Sequence, residues 1–134
     1  MEVSIRYRGN VRFEAVARGH RVMSDQPAAN GGEDGGMTPP ELLLSALGTC
    51  AGYYAAQYLK ARSLPADGIE IHVAADKALQ PARLAQFRIE VTVPGLDAAH
   101  EAGILRAVKA CLIHHTLLSQ PAIEIVFKTV ETVV

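Results

Sequence analysis

The chain has 134 residues, 49% of them hydrophobic, which suits one domain spanning 1–134 with a core of its own and excludes a disordered protein. Thirteen basic residues against fourteen acidic ones give a formal charge of -1, and tryptophan is absent. That balance excludes the basic field and the aromatic platform that a nucleic-acid partner requires.

The N-terminus, MEVSIRYRGN, carries charge from its second residue and lacks the apolar core of a signal peptide. The longest apolar stretch, 37–61, is interrupted by Ser45, Gly48, Thr49, Gly52 and Gln57. It falls short of the ~20 predominantly apolar residues of a membrane span. The expectation is a cytoplasmic protein with no membrane partner. In that compartment two cysteines read as reduced, catalytic or metal-binding thiols rather than a structural staple.

In chain order, Val3, Ile5 and Tyr7 alternate with polar residues, and Val11, Phe13 and Ala15 repeat the pattern. This is the period of half-buried antiparallel strands, with Gly9-Asn10 as the hairpin turn. "HRVMSD" supplies a third short strand. Residues 26–37, "QPAANGGEDGGM", form a glycine-rich loop, long enough for a mobile flap beside a site. It lacks the GxxxxGK[ST] pattern of a phosphate cradle.

A long helix follows. Thr38 is its N-cap, Pro39 and Pro40 fit the first turn, and Glu41 suits the positive end of the dipole. It ends near Arg62-Ser63, before Pro65. Being apolar on most faces, it must be packed on most sides, in the middle of the domain or at a subunit interface. "IEIHVAAD" and "LAQFRIEVTVPG" are the next strands. A second helix is predicted from Asp97 to about Cys111, with Ile104, Val108 and Cys111 on one face. "LIHHTLLSQP" is short and irregular or helical, and "AIEIVFKTVETVV" closes the chain as a β-branched strand. The order argues for an α+β domain, with helices packed against mostly antiparallel sheet.

On the long helix Leu43, Leu47, Cys50, Tyr54 and Tyr58 share a face. Cys50 thus lies in an apolar stripe, where a cysteine is either a small hydrophobe or a thiol with a purpose. Gly48 and Gly52 flank it, admitting a close neighbour or leaving space beside the sulfur. Cys111 lies 61 positions further on, and a disulfide between the two needs Cα atoms within ~7 Å. Cys111-x-x-His114 also has the form of half a zinc site, without a second close Cys or His pair to complete it.

Two motifs together resemble the OsmC/Ohr family of osmotically inducible and organic hydroperoxide resistance proteins. One is "GG..GG.TPPELLLSALGTCAG", residues 31–52. The other is "CLIHHTL", residues 111–117. The resemblance implies the OsmC-like fold: antiparallel sheets around two central helices, in an intertwined homodimer. It implies thiol-dependent reduction of an organic hydroperoxide at the dimer interface, with no metal or other cofactor. Cys50 takes the place of the peroxidatic cysteine and Cys111 that of the resolving one, and an external dithiol restores the pair. In an apolar pocket the thiolate needs a cation, for which the family uses an Arg from the N-terminal strands, steadied by a Glu. Among Arg12, Arg18 and Arg21, Arg12 is favoured. Counting back from Cys50, the family's Glu falls on Pro40, and Glu41 lies one place later, ~100° round the helix. The substrate pocket is expected from Leu47, Tyr54 and His114. The alternative on the same fold is a non-catalytic protein that binds a small ligand in an apolar pocket at the dimer interface.

Overall fold

Strands β1 (Ser4–Tyr7), β2 (Phe13–Ala17) and β3 (His20–Ser24) form an antiparallel sheet in the order β1-β2-β3. The computed structural model describes residues 1–131 of the chain. Register pairs Ile5 with Ala15 and Ala15 with Val22, and Tyr7 with Phe13. One face is therefore apolar, and Ile5, Tyr7, Phe13 and Val22 on it are exposed. The other face is polar, and Glu14 there accepts from Arg8 at 3.0 Å and Arg21 at 2.9 Å.

The glycine-rich loop is not an open flap. Asp25 is fully buried at its start. Its carboxylate accepts the backbone N–H groups of Gln26 (2.8 Å), Glu33 (3.3 Å) and Gly35 (2.9 Å). Gly32 and Gly36 lie against the carbonyls of Gln26 and Met23, where a Cβ has no room. The loop is thus wound around one buried anion, and its glycines are set by close approach. Burial of Asp25 opposes its charge, but the Gly35 bond outweighs it, and the carboxyl is held below its usual range.

The loop leads into helix α1 (Pro39–Ala61). Thr38 and Glu41 close a capping box: Glu41 Oε1 accepts from the Thr38 backbone N–H at 3.0 Å, while Thr38 Oγ1 accepts from the Glu41 N–H at 3.4 Å. Strands β4 (Glu70–Ala78) and β5 (Arg83–Thr92) make a second, two-stranded antiparallel sheet against α1. Helix α2 (Glu101–Lys109) packs on the same helix, and the short helix α3 (Leu112–Leu118) touches it as well. The core runs along Ala51, Ala55 and Leu59 of α1 and meets Ile104 and Val108 of α2. That line meets the Leu43–Tyr58 stripe at Leu47, which is 2% exposed, and otherwise runs beside it.

Gly48 and Gly52 serve the sheet and not the sulfur. A Cβ on Gly48 would lie 3.0 Å from Val73 Cγ2, and one on Gly52 3.5 Å from Ile71 Cγ1. The close neighbour is strand β4. At the far end of α1, Tyr58 Oη lies 3.1 Å from His100 Nδ1, and the Arg62 guanidinium stacks 3.6 Å from the Tyr58 ring centroid.

Two expected elements differ. The helix predicted from Asp97 to Cys111 starts as a 3-10 turn at Ala98–His100 and stops at Lys109, so Cys111 is not on its buried face but caps α3. The predicted C-terminal strand does not form among the described residues. The chain from Gln120 to Glu131 has no regular structure and is exposed, with Ile125 at 92% and Phe127 at 87%. Residues 132–134 of that expected strand lie outside the described residues. Its β-branched sequence favours extended backbone, but a strand also needs an edge to pair with, and among the described residues the tail pairs with none. Among the described residues no helix is long and apolar enough to cross a membrane.

Candidate functional site

Cys50 sits in the middle of α1, partly buried, and Cys111 is the N-cap of α3, 1% exposed. Cys111 adopts extended backbone, so the chain turns there from the end of α2 into α3. Its sulfur accepts the His114 backbone N–H at 3.3 Å, the capping role that a hydroxyl or carboxylate usually fills. This turn carries the start of α3 to the flank of α1, and the two thiols meet. Both are free.

The contact is unequal. Burial opposes the Cys50 thiolate. Against that, the Cys111 S–H donates to it, and the backbone N–H groups of Ile113 and Leu112 add two further donors. The net result is a Cys50 thiol more acidic than usual. Burial pushes the Cys111 thiol up, and its bond to Cys50 adds to the effect. The two thiols are thus shifted in opposite directions. The groups that favour the Cys50 thiolate are uncharged: a thiol and two amides.

The expected cation and its helper lie elsewhere in the single chain. Arg12 follows the β1–β2 turn, where Gly35 packs near its Cδ, and its Nη1 stands 3.9 Å from Glu33 Oε2. Its charge helps hold Asp25 ionised. Its Nε is buried without a hydrogen-bond partner among the described residues. Glu41 spends its carboxylate on the capping box, and the Thr38 N–H is the main reason its pKa is lowered. Nine residues of helix separate it from Cys50, about 13 Å of rise.

Between α1, β5 and α3 lies a cavity of about 500 Å3 whose lining includes Leu47, about one helical turn from Cys50, and His114, whose backbone N–H bonds Cys111, but neither cysteine. Leu43, Leu47, Phe87, Ile89 and Leu117 give it an apolar wall, and His114 and Gln86 are its hydrogen-bonding side chains. Leu47 and His114 are thus brought together. Tyr54 is not part of the lining; its ring stands edge-on to Tyr53 at 5.2 Å between centroids. Among the described residues no cluster of three or more His, Cys, Asp or Glu side chains is placed to hold a metal ion.

Three contributors escape the sequence reading: Asp25, Gln86 and the amides of Leu112 and Ile113. Asp25 had one signal, an acidic residue opening a glycine-rich loop, where a short carboxylate bonds nearby backbone N–H groups. The amides had another, since a cysteine directly before a helical run is a capping position.

The sequence profile described as OsmC-like protein matches residues 31–126. No curated protein matches the chain. Solved structures share the fold. A Psychrobacter arcticus protein assigned to osmotic stress and detoxification superposes with a TM-score of 0.78 at 20% identity, over 85% of either chain. An OsmC-like protein from Mycoplasma pneumoniae gives 0.73 at 18% identity, covering 89% of this chain and 87% of its own. An organic hydroperoxide resistance protein from Legionella pneumophila, also described as a redox protein, gives 0.58 at 13% identity, over 87% and 89%. The mixed fold of two antiparallel sheets and three helices, the paired thiols and the profile match agree: the chain belongs to the OsmC-like protein family.

Proposed function

We propose that this protein is a thiol peroxidase that reduces organic hydroperoxides, acting in the cytoplasm as a homodimer. The observation that carries the reading is the contact between Cys50 and Cys111, with Cys50 made the more acidic of the two. The description of the Legionella relative, organic hydroperoxide resistance, points the same way.

In this reading the Cys50 thiolate attacks the terminal oxygen of the hydroperoxide. An S–O bond forms as the O–O bond breaks, and the alkoxide leaves and takes a proton to become the alcohol. Cys50 is then a sulfenic acid, oxidised by two electrons. Cys111, as thiolate, attacks that sulfur and displaces hydroxide, which leaves as water once protonated, and the Cys50–Cys111 disulfide forms. An external dithiol reduces it through two exchange steps and is itself oxidised to a disulfide. Arg12 is assigned to hold the Cys50 thiolate, steadied by Glu41, from across the dimer interface.

The test is hydroperoxide consumption with dithiothreitol as reductant, followed together with the mass of the Cys50 and Cys111 peptides. Wild type should turn over and trap the intramolecular disulfide when reductant is withheld. Equal consumption by Cys50→Ser would remove the reading. The apolar cavity also favours the second reading, a small-ligand-binding protein. Ligand binding with a peroxide-inert Cys50 would establish that instead.

A further inference from the structure

We propose that the arginine-bearing face of the N-terminal sheet is the docking surface for an acidic dithiol protein, which reduces the Cys50–Cys111 disulfide. The inference rests on the thiol-peroxidase reading for the reduction step, and deepens it by naming the chemistry of the reductant's surface.

Charge is unevenly placed along the chain. Residues 1–24 hold five arginines, no lysine and two glutamates, while residues 25–134 hold eight basic side chains against twelve acidic ones. A net charge of -1 thus conceals a positive sheet on a negative body. Strand register gathers the positive charge on one face. Arg6 stands opposite Glu14, and Arg8 and Arg21 both donate to the same Glu14 oxygen, at 3.0 and 2.9 Å. The carboxylate lies beneath the cations: the Glu14 side chain is 12% exposed, those of Arg8 and Arg21 42% and 63%. The hydrogen bond from Arg8 leads in lowering the Glu14 pKa, so the carboxylate stays ionised and two guanidinium groups share one negative charge. Among the described residues Arg6 and Arg18 form no ion pair. Glu14 thus offsets one of three arginines, and the face presents the remaining charge to solvent.

Charge on an edge strand also deters pairing between sheets, and Arg6 does so on β1. Lysine is the usual residue for that purpose. Here all five positions are arginine, although four lysines occur later in the chain. A planar guanidinium donates two parallel hydrogen bonds to one carboxylate, which a lysine does not match. Tyr7 and Phe13 lie on the opposite face, so neither ring is placed to stack a base among these arginines. Both features favour an acidic protein over a nucleic acid. The Arg8 backbone N–H donates to the Arg12 carbonyl at 2.9 Å, so the face borders the arginine assigned to Cys50 across the dimer interface. In that reading a dithiol brought to this face is delivered beside the disulfide. One of its thiolates attacks a sulfur of the pair to form a mixed disulfide, and its second thiolate displaces that sulfur. The partner leaves as a disulfide, and Cys50 and Cys111 take up its two protons as thiols.

The experiment uses two synthetic dithiol peptides with the same Cys-Gly-Pro-Cys centre, one flanked by glutamates and the other by lysines. Each serves as reductant for the full-length protein turning over tert-butyl hydroperoxide, with dithiothreitol as the uncharged reference. The acidic peptide should give a kcat/KM at least about tenfold above the basic one at about 20 mM salt, and the ratio should fall toward unity at about 1 M. Arg6→Gln combined with Arg21→Gln leaves the Arg8–Glu14 pair and should remove most of the preference, with dithiothreitol turnover unchanged. Lys60→Gln combined with Arg106→Gln takes the same charge from the helices and should retain the preference. Docking is read apart from chemistry, by fluorescence anisotropy of the acidic peptide with both cysteines replaced by serine. Binding of that peptide which the arginine variant loses, with no turnover in any reductant, would remove the peroxidase reading and keep the docking face. Turnover with dithiothreitol but equal kcat/KM for the two peptides would overturn the proposal, as would a preference that survives the arginine variant. A single-stranded oligonucleotide of equal charge binding more tightly than the acidic peptide would overturn it as well.

Discussion

Cys111 donates its S–H to Cys50: burial opposes the Cys50 thiolate and this bond works against it with the amides of Ile113 and Leu112, while at Cys111 burial leads the rise and the bond adds to it. Removing the donor tests it. In Cys111→Ala the amides of Leu112 and Ile113 remain, but the thiol bond is gone, so the Cys50 pKa rises toward the ordinary cysteine value. Cys111→Ser keeps an O–H donor and should keep Cys50 acidic. Iodoacetamide alkylation of the Cys50 peptide, followed by mass spectrometry against pH, reads the difference. The rate in wild type and Cys111→Ser should rise at lower pH than in Cys111→Ala. Superimposed profiles for wild type and the alanine variant would show that the contact does not set the acidity.

Asp25 makes a prediction about stability and pH. Its folded pKa is lowered below the unfolded 3.8, so the stability it contributes is present above that value and lost as pH falls through the folded one. Asp25→Asn removes the charge that three backbone N–H groups address and points an amide N–H at them. Urea midpoints should be lower for the variant at pH 7. The gap should close as pH drops below 3.8. A constant gap down to strongly acidic pH would mean that the charge is not the source of the stabilisation.

Much of this fold was legible because its signals are local. Thr38, two prolines and Glu41 spell out the start of α1 within four residues, and period-two alternation marks β1 and β2. The thiol contact joins residues 61 positions apart and was legible only through resemblance to a family. Asp25 was not legible as an anchor, since its partners are backbone amides, which every residue carries. Gln86 was missed because a bulge breaks the very alternation by which strands are read. The tail shows the converse: β-branched residues predict a strand, but pairing also needs a neighbour. The period that placed Cys111 on α2 ran through a helix end that a cysteine cap conceals.

Gly48 and Gly52 separate two effects of adding a methyl group. At Gly52 the nearest atom, Ile71 Cγ1, would be 3.5 Å from a new Cβ, an ordinary contact. Gly52→Ala should therefore gain up to about 1 kcal/mol in urea denaturation from helix propensity alone. At Gly48 the Val73 methyl would be 3.0 Å away from the Cβ itself. Gly48→Val, with two more carbons, should overpack the α1–β4 contact and cost about 1–3 kcal/mol. Unchanged stability in Gly48→Val would mean that β4 yields easily and that the glycine is not needed for close approach.

The exposed apolar surface predicts assembly. Ile5, Tyr7, Phe13 and Val22 cover one face of the N-terminal sheet, and Ile123, Ile125 and Phe127 alternate along an unpaired tail. A monomer rarely leaves a patch of this extent open to water, and a strand-forming tail without a partner is a template for pairing with another chain. A second copy supplies both an apolar face and a strand edge, and two-fold pairing closes the assembly. Sedimentation velocity at micromolar concentration should find wild type as a dimer. The double variant Ile125→Glu, Phe127→Glu places charges where the tail must be buried, and should shift the protein toward monomer while α1 and the β4–β5 sheet keep their circular dichroism. If wild type sediments as a monomer, or the double variant stays dimeric with unchanged affinity, the tail is not part of an interface between copies. Arg12 and Glu41 would then have no second subunit across which to reach Cys50.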